Sequence, residues 1–207
     1  MKRSVLAAVL AAAILVVVAA ASGPSLLRPA SLHKRAPATF SAKFTTTKGP
    51  FVVKVHRSWS PKGADRFYNL VYYHYYDNEP IFRVLTHYIA QWGINMKPPI
   101  AKAWKTAFIR DEPATQKNSR GKITFAISTA KNSRTTQVFV NLRANAFAGR
   151  FAPIGEVTSG LSVFGKVYHG YGEYPSNNQA GMIKYGAWWV HRYFPKLDWI
   201  KTARIVH

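Results

Sequence analysis

Phe82-Arg83-Val84-Leu85-Thr86-His87-Tyr88-Ile89-Ala90-Gln91-Trp92-Gly93 is the stretch on which the reading of this chain turns. It spans two β-prone segments, Ile81–Leu85 and Tyr88–Gln91. Four more follow at Lys122–Ile127, Gln137–Leu142, Ile154–Val157 and Phe164–Val167, separated by loops rich in Lys, Pro, Asn, Ser and Thr. Upstream, Phe51, Val53 and Val55 alternate with Val52, Lys54 and His56, the period of a half-buried strand. The turn-forming run Thr45–Pro50 joins that strand to Thr39–Phe44 as an antiparallel hairpin. Ser60-Pro61 then opens a helix, with Ser as N-cap and Pro at the first position. Ala64, Phe67, Leu70 and Val71 share one face of it, and Asp65 is expected to complement its dipole. The tyrosines from Tyr68 to Tyr76 read as core plus an exposed rim rather than as a platform for stacking bases. Gln179–Phe194 looks helical, Pro195 stops it, and Ala203–Val206 reads as a closing strand. Many short strands with one clear early helix predict a mainly β fold, a closed antiparallel barrel plugged by helices.

Composition narrows the chemistry. The 207 residues carry 29 Lys and Arg, 8 Asp and Glu, and no Cys. Disulfides, CxxC redox pairs and cysteine-ligated zinc are excluded. So few carboxylates leave little for two-carboxylate catalysis. The seven His show no tight metal-ligand spacing, and Ser159-Gly160-Leu161-Ser162 lacks a nucleophile elbow, so neither a metal nor a cofactor is expected. Asp111-Glu112 reads as a structural loop pair.

Lys2 and Arg3 precede an apolar run from Val5 to Ala21 that ends in small residues before Ser22-Gly23-Pro24. This is the anatomy of a secretory signal peptide. An uncleaved anchor through residues 4–21 is the competing reading, at the lower edge of bilayer-spanning length. Either way the folded part is expected outside the cytoplasm, in the periplasm or cell envelope. Removal of residues 1–21 leaves 27 bases against 8 acids, a charge of +19. The bases are scattered with no run of five, which favours a solvated basic surface over a specific nucleic-acid partner. Residues 22–38, with Pro24, Pro29 and Pro37, are expected as an exposed linker to a domain over 39–207, the extension beginning near 171.

The opening stretch resembles the cyclophilin signature, roughly F-x-R-[VI]-[IL]-x-G-F-x-x-Q-x-G. Arg120–Ala126 resembles that family's "rGxLsMA" strand, Thr135–Asn141 its "TSQFFIN", and Phe151–Val157 the "GFAPFGxV" of bacterial members. They occur in family order and spacing, and Asp65–Leu70 is similar to the family's first helix. The resemblance runs from Thr39 to about Tyr168. Tyr171-Gly172-Glu173 and Phe194–Ile200 are similar to an extension in one bacterial group. The resemblance implies a closed eight-stranded barrel capped by helices with a C-terminal helical extension, and a monomeric peptidyl-prolyl cis-trans isomerase acting on proline-containing polypeptides and assisting the folding of exported proteins. The alternative is a catalytically weak proline-binding or scaffold module.

Turning an X-Pro bond means breaking amide resonance, a barrier of about 18–20 kcal/mol. No nucleophile is required. A catalyst needs an apolar cup for the proline ring and a donor toward the prolyl nitrogen, and must bind the twisted form better than either planar one. By resemblance Arg83 is the catalytic donor, and Gln91 steadies it or bonds substrate backbone. Tyr88, Ile89, Phe139 and Phe147 are implied to line the cup, Gln137 supplies a polar contact, Ala126 leaves room for substrate backbone, and Phe151 stands where many members have His or Tyr. Read without the motif, Arg83 is a partly exposed strand arginine paired with an acid. The departures are His87 for a common Gly, Tyr88 for Phe, Ile89 for Met, Trp92 for Gly or Phe, and a degraded segment at 146–148.

Overall fold

A computed structural model describes residues 23–147 and 149–206. The signal or anchor segment lies outside them. Among the described residues no helix is long and apolar enough to cross a membrane.

The chain opens with the hairpin expected from its alternation, β1 (Thr39–Thr46) and β2 (Gly49–His56), paired from Thr39–His56 to Thr46–Gly49. Then come α1 (Pro61–Tyr72), β3 (Glu79–Pro80), β4 (Arg83–Leu85), β5 (Ile89–Trp92) and α2 (Pro98–Trp104). β6 (Lys122–Phe125), β7 (Val138–Asn141) and β8 (Pro153–Ser159) complete the middle of the chain. Three short helices follow, α3 (Tyr174–Asn177), α4 (Gln179–Tyr185) and α5 (Ala187–Tyr193), before β9 (Trp199–Val206).

All strands join one antiparallel sheet in the order β3-β9-β1-β2-β8-β6-β7-β5-β4. The expected closed eight-stranded barrel is therefore corrected: the nine strands of the described residues form a curled sheet that stays open between β3 and β4. Only Ile81 and Phe82 separate these edges, so Pro80 and Arg83 lie within about 11 Å even at full extension. Pro80 has no N–H to offer a ladder, and buried Ile81 and Phe82 fill the seam instead.

Two apolar clusters organise the interior. Ala64, Phe67, Leu70 and Val71 of α1 enter the sheet's concave side, where Phe44 stacks on Phe51 at 4.8 Å and Trp92 meets both rings edge-on. Tyr75 and Tyr76 are buried with them, while Tyr72 is exposed, as expected. The second cluster joins Phe82 to Ile94, Met96, Met182, Val190, Phe194 and Leu197. It ties the seam to the C-terminal helices, and burial of the Phe82 ring alone contributes roughly 1.5–3 kcal/mol.

Several expectations are corrected. Phe164–Val167 is no strand; Phe164 lies in a 3-10 turn, Leu161–Gly165, where its ring packs on Phe51 and Trp92. Gln179–Phe194 is two helices, because Gly186 adopts φ +65° against the Met96 carbonyl, where a Cβ would collide. Residues 23–38 are not a free linker: Leu32 and Ala36 are buried, Trp104 donates to Leu26 O, and Lys34 N donates to Asn69 Oδ1. Ser60 sits at the N-cap of α1, but its hydroxyl donates to Glu112. The Glu112 carboxylate accepts from Lys62 N at 2.7 Å and Gly63 N at 3.1 Å, capping the helix from 50 residues away. Asp65 lies beyond the first turn and holds Arg57 through a two-point ion pair.

Candidate active site

Strand alternation decides which residues face the site. Val84, Ala90, Trp92, Val138 and Val140 enter the main core. Arg83 on β4, Ile89 and Gln91 on β5, and Phe139 on β7 therefore share the opposite face. Register aligns them, with Arg83 opposite Gln91, Gln91 opposite Phe139 and Phe139 opposite Thr124.

A polar row runs across these strands. Arg83 Nη1 donates to Gln91 Oε1 at 3.1 Å, Gln91 Nε2 to Gln137 Oε1 at 2.8 Å, and Gln137 Nε2 to Gln179 Oε1 at 2.7 Å. Arg83 has donors only. Gln91 must therefore offer it oxygen, and each amide in turn faces the same way, so the row has one direction. On its other edge the Arg83 guanidinium makes a bidentate pair with Glu173, Nε to Oε2 at 2.8 Å and Nη2 to Oε1 at 2.6 Å. Those hydrogen bonds hold the Glu173 carboxyl below the usual carboxylate range. Ser176 Oγ donates to Glu173 Oε2 at 3.0 Å.

Beside the row stands the aromatic group. Phe139 meets Phe147 and Phe151 edge-on at 5.7 Å each, Phe147 and Phe151 lie 4.7 Å apart, and Tyr88 meets Phe147 at 6.2 Å. Arg143 stacks over Tyr88 at 5.0 Å, close enough for a cation–π contact. Ile89 lies on this face and is buried to the same degree as Phe139. Ala126 donates its N–H to Gln137 O and, with Gln91, Gln137, Gln179 and Phe108, lines a groove of about 340 Å³. A second hollow, about 570 Å³, lies beyond Phe147 between Ala114–Ser119 and Ala144–Phe147. The structure thus brings Gln91, Gln137 and Ala126 along one groove, with Arg83 hydrogen-bonded to Gln91, and Tyr88, Phe139, Phe147 and Phe151 into one aromatic wall.

The substitutions near the signature have local consequences. His87 takes φ +57° in the turn closed by Tyr88 N on Leu85 O, a conformation in which glycine is at ease. Trp92 is absorbed into the core. Arg83 is a partly exposed strand arginine paired with an acid, and its side chain also heads the polar row.

Glu173, Ser176 and Gln179 were not expected at the site. They lie far from β4 and β7 in sequence, and no local spacing connects them. One signal was present: with 29 bases and eight acids, each acid is scarce. Seven of the eight lie in ion pairs, and among the described residues Glu79 has no such partner. Asp111 and Glu112 are structural as expected, both pairing with buried Arg134. Burial pushes the Glu112 carboxyl up, but hydrogen bonds from Ser60, Lys62, Gly63 and Arg134 outweigh it and hold the group low. Among the described residues no group of three His, Asp or Glu is placed to hold a metal.

An open antiparallel sheet, an outward arginine–glutamine row and flanking phenylalanines together make up the candidate site. The family profile "Cyclophilin type peptidyl-prolyl cis-trans isomerase/CLD" matches residues 41–180, and the chain belongs to that family of peptidyl-prolyl isomerases. It is 31% identical over 127 residues to peptidyl-prolyl isomerase CWC27 of Yarrowia lipolytica, covering 58% of this chain but only 35% of the relative. It is 26% identical over 162 residues to peptidyl-prolyl cis-trans isomerase A of Dickeya dadantii, covering 78% of this chain and 79% of the relative. A crystal structure of a cyclophilin type peptidyl-prolyl cis-trans isomerase of Cryptosporidium parvum superposes with TM-score 0.59 at 17% identity, over 82% of this chain and 98% of that one. The same protein has also been crystallised in the presence of the dipeptide Ala-Pro.

Proposed function

We propose that this chain turns X-Pro bonds of polypeptides folding outside the cytoplasm, acting as a monomer, with Arg83 as the donor at the prolyl nitrogen. The observation that carries the reading is the outward Arg83 held by Gln91 beside an aromatic wall. Three of the five guanidinium donors are engaged, by Glu173 and Gln91, and two remain for substrate. As the bond twists, the prolyl nitrogen pyramidalises and regains its lone pair. An N–H aimed there stabilises the twisted form and has no counterpart in the planar forms. The Phe139–Phe147–Phe151 wall holds the pyrrolidine ring, and the groove beside Gln137 and Ala126 takes the preceding residues. Export is supported by the charged start and apolar run of residues 2–21.

The test is a protease-coupled or exchange-NMR isomerisation assay on a short X-Pro peptide, run beside a binding titration. Acceleration over the spontaneous rate is expected. Binding without acceleration would establish the scaffold reading instead.

A further inference from the structure

We infer that the C-terminal extension is part of the active site, with Glu173 positioning Arg83 and Gln179 positioning Gln137. This rests on the isomerase reading above and adds to it two residues that lie 90 and 42 positions from their partners.

The row has a direction imposed by Arg83, and a directed chain of donors needs an acceptor at its far end. Within the sheet there is none: Gln137 Oε1 is taken by Gln91, and its Nε2 turns to Gln179 Oε1, the first side chain of α4. At the near end, Gln91 alone fixes one nitrogen of a long flexible side chain. Glu173 takes the Nε/Nη2 edge at two points, which fixes the guanidinium plane. Between them, extension and sheet engage three of the five Arg83 donors, leaving one on each terminal nitrogen.

The extension is built to stand there. Tyr171 and Tyr174 pack edge-on against Phe194 at 5.2 and 5.6 Å, and Pro175 is buried. Phe194 shares a cluster with Phe82, the neighbour of Arg83 in the seam. Ser176 Oγ lies 2.8 Å from the Glu173 backbone oxygen and 3.0 Å from its carboxylate, its one hydroxyl proton shared between them, which holds the rotamer. Glu173 is itself 47% exposed, so the pair contributes little to stability and its effect falls on geometry.

Positioning acts on turnover rather than on binding, because a wandering guanidinium weakens the twisted form alone. Glu173→Gln and Gln179→Leu are each expected to lower kcat, by about tenfold and about threefold, with KM changed less than twofold and thermal stability unchanged. A second readout is independent of activity. The Arg83 Nε–H signal in a 15N NMR spectrum is expected to exchange slowly with water in the wild type and rapidly in Glu173→Gln. Glu173→Asp, a shorter carboxylate, restores part of the rate. Unchanged kcat in both variants, or a faster Glu173→Gln enzyme, overturns the inference; the latter would mean that the carboxylate obstructs substrate. Arg83→Ala separates the two levels. If it leaves the rate intact, the isomerase assignment of Arg83 fails; if it abolishes the rate while Glu173→Gln does not lower it, only the positioning role fails.

Discussion

Gly93 closes the signature stretch, and replacing it by alanine links close packing to the site. Its φ is +120° to within a few degrees, at +116°, a conformation that L side chains rarely adopt. A Cβ there would lie 2.5 Å from Thr136 O and 2.6 Å from Gln137 Cα, where ordinary contact begins near 3.4 Å. Both obstacles are backbone, so the β5 and β7 segments must part by roughly 1 Å, which crowding of this kind converts to about 1–3 kcal/mol. Backbone strain adds about 1–3 kcal/mol. The sum is roughly 2–6 kcal/mol, and at about 2–4 °C per kcal/mol in a chain of this size Tm falls by roughly 5–20 °C. The same displacement moves Gln137 away from Gln91 and loosens the row holding Arg83, so activity measured well below Tm falls by about 10- to 100-fold. Differential scanning fluorimetry and an isomerisation assay at low temperature check both arms. Gly149→Ala is the control, since Gly149 has positive φ but open space around it. A Gly93→Ala protein with wild-type Tm and rate would refute the reasoning.

Other perturbations follow from single environments. Glu79 is fully buried, and among the described residues its carboxylate oxygens have no hydrogen-bond partner beyond the weak approach of the Gly93 N–H. Burial, with Asp77 nearby, raises its pKa well above the ordinary value. The folded form therefore binds more protons than the unfolded one above about pH 4, and stability falls as pH rises toward the raised value. Glu79→Met is expected to flatten that slope and to add about 1–3 kcal/mol at neutral pH, read by urea denaturation across pH 5–9; a variant with the wild-type slope contradicts it. Glu112→Ala uncaps α1 and leaves Arg134, whose side chain is 3% exposed, with only the longer 3.7 Å pair to Asp111; a loss of about 3–5 kcal/mol is expected by the same measurement. His87→Gly relieves the left-handed backbone at 87 and is expected to stabilise by about 1 kcal/mol, seen as a raised Tm with an unchanged rate.

What the sequence made legible was local. Alternation at 51–55 gave the hairpin, Ser60-Pro61 placed the start of α1, and the signature spacing put Arg83, Gln91, Gln137 and Phe139 on one strand face, where register then aligned them. Phe164–Val167 misled because a short apolar run is equally compatible with strand and buried turn. The break at Gly186 is set by the Met96 carbonyl, a distant backbone atom that no helical period reveals. The seam arises from Pro80 and a two-residue strand too short to signal itself. Glu173 and Gln179 escaped for the same reason: their partners are fixed by packing of Phe194 against Tyr171 and Tyr174, not by spacing along the chain.

The central claim is that one guanidinium, aimed from β4, lowers the barrier to X-Pro rotation. Its most direct measurement is kcat/KM for a short X-Pro peptide with wild type and Arg83→Ala side by side, each shown to be folded by its Tm. A loss of about 100-fold or more with the fold intact is predicted. Equal rates in two folded proteins would contradict the account.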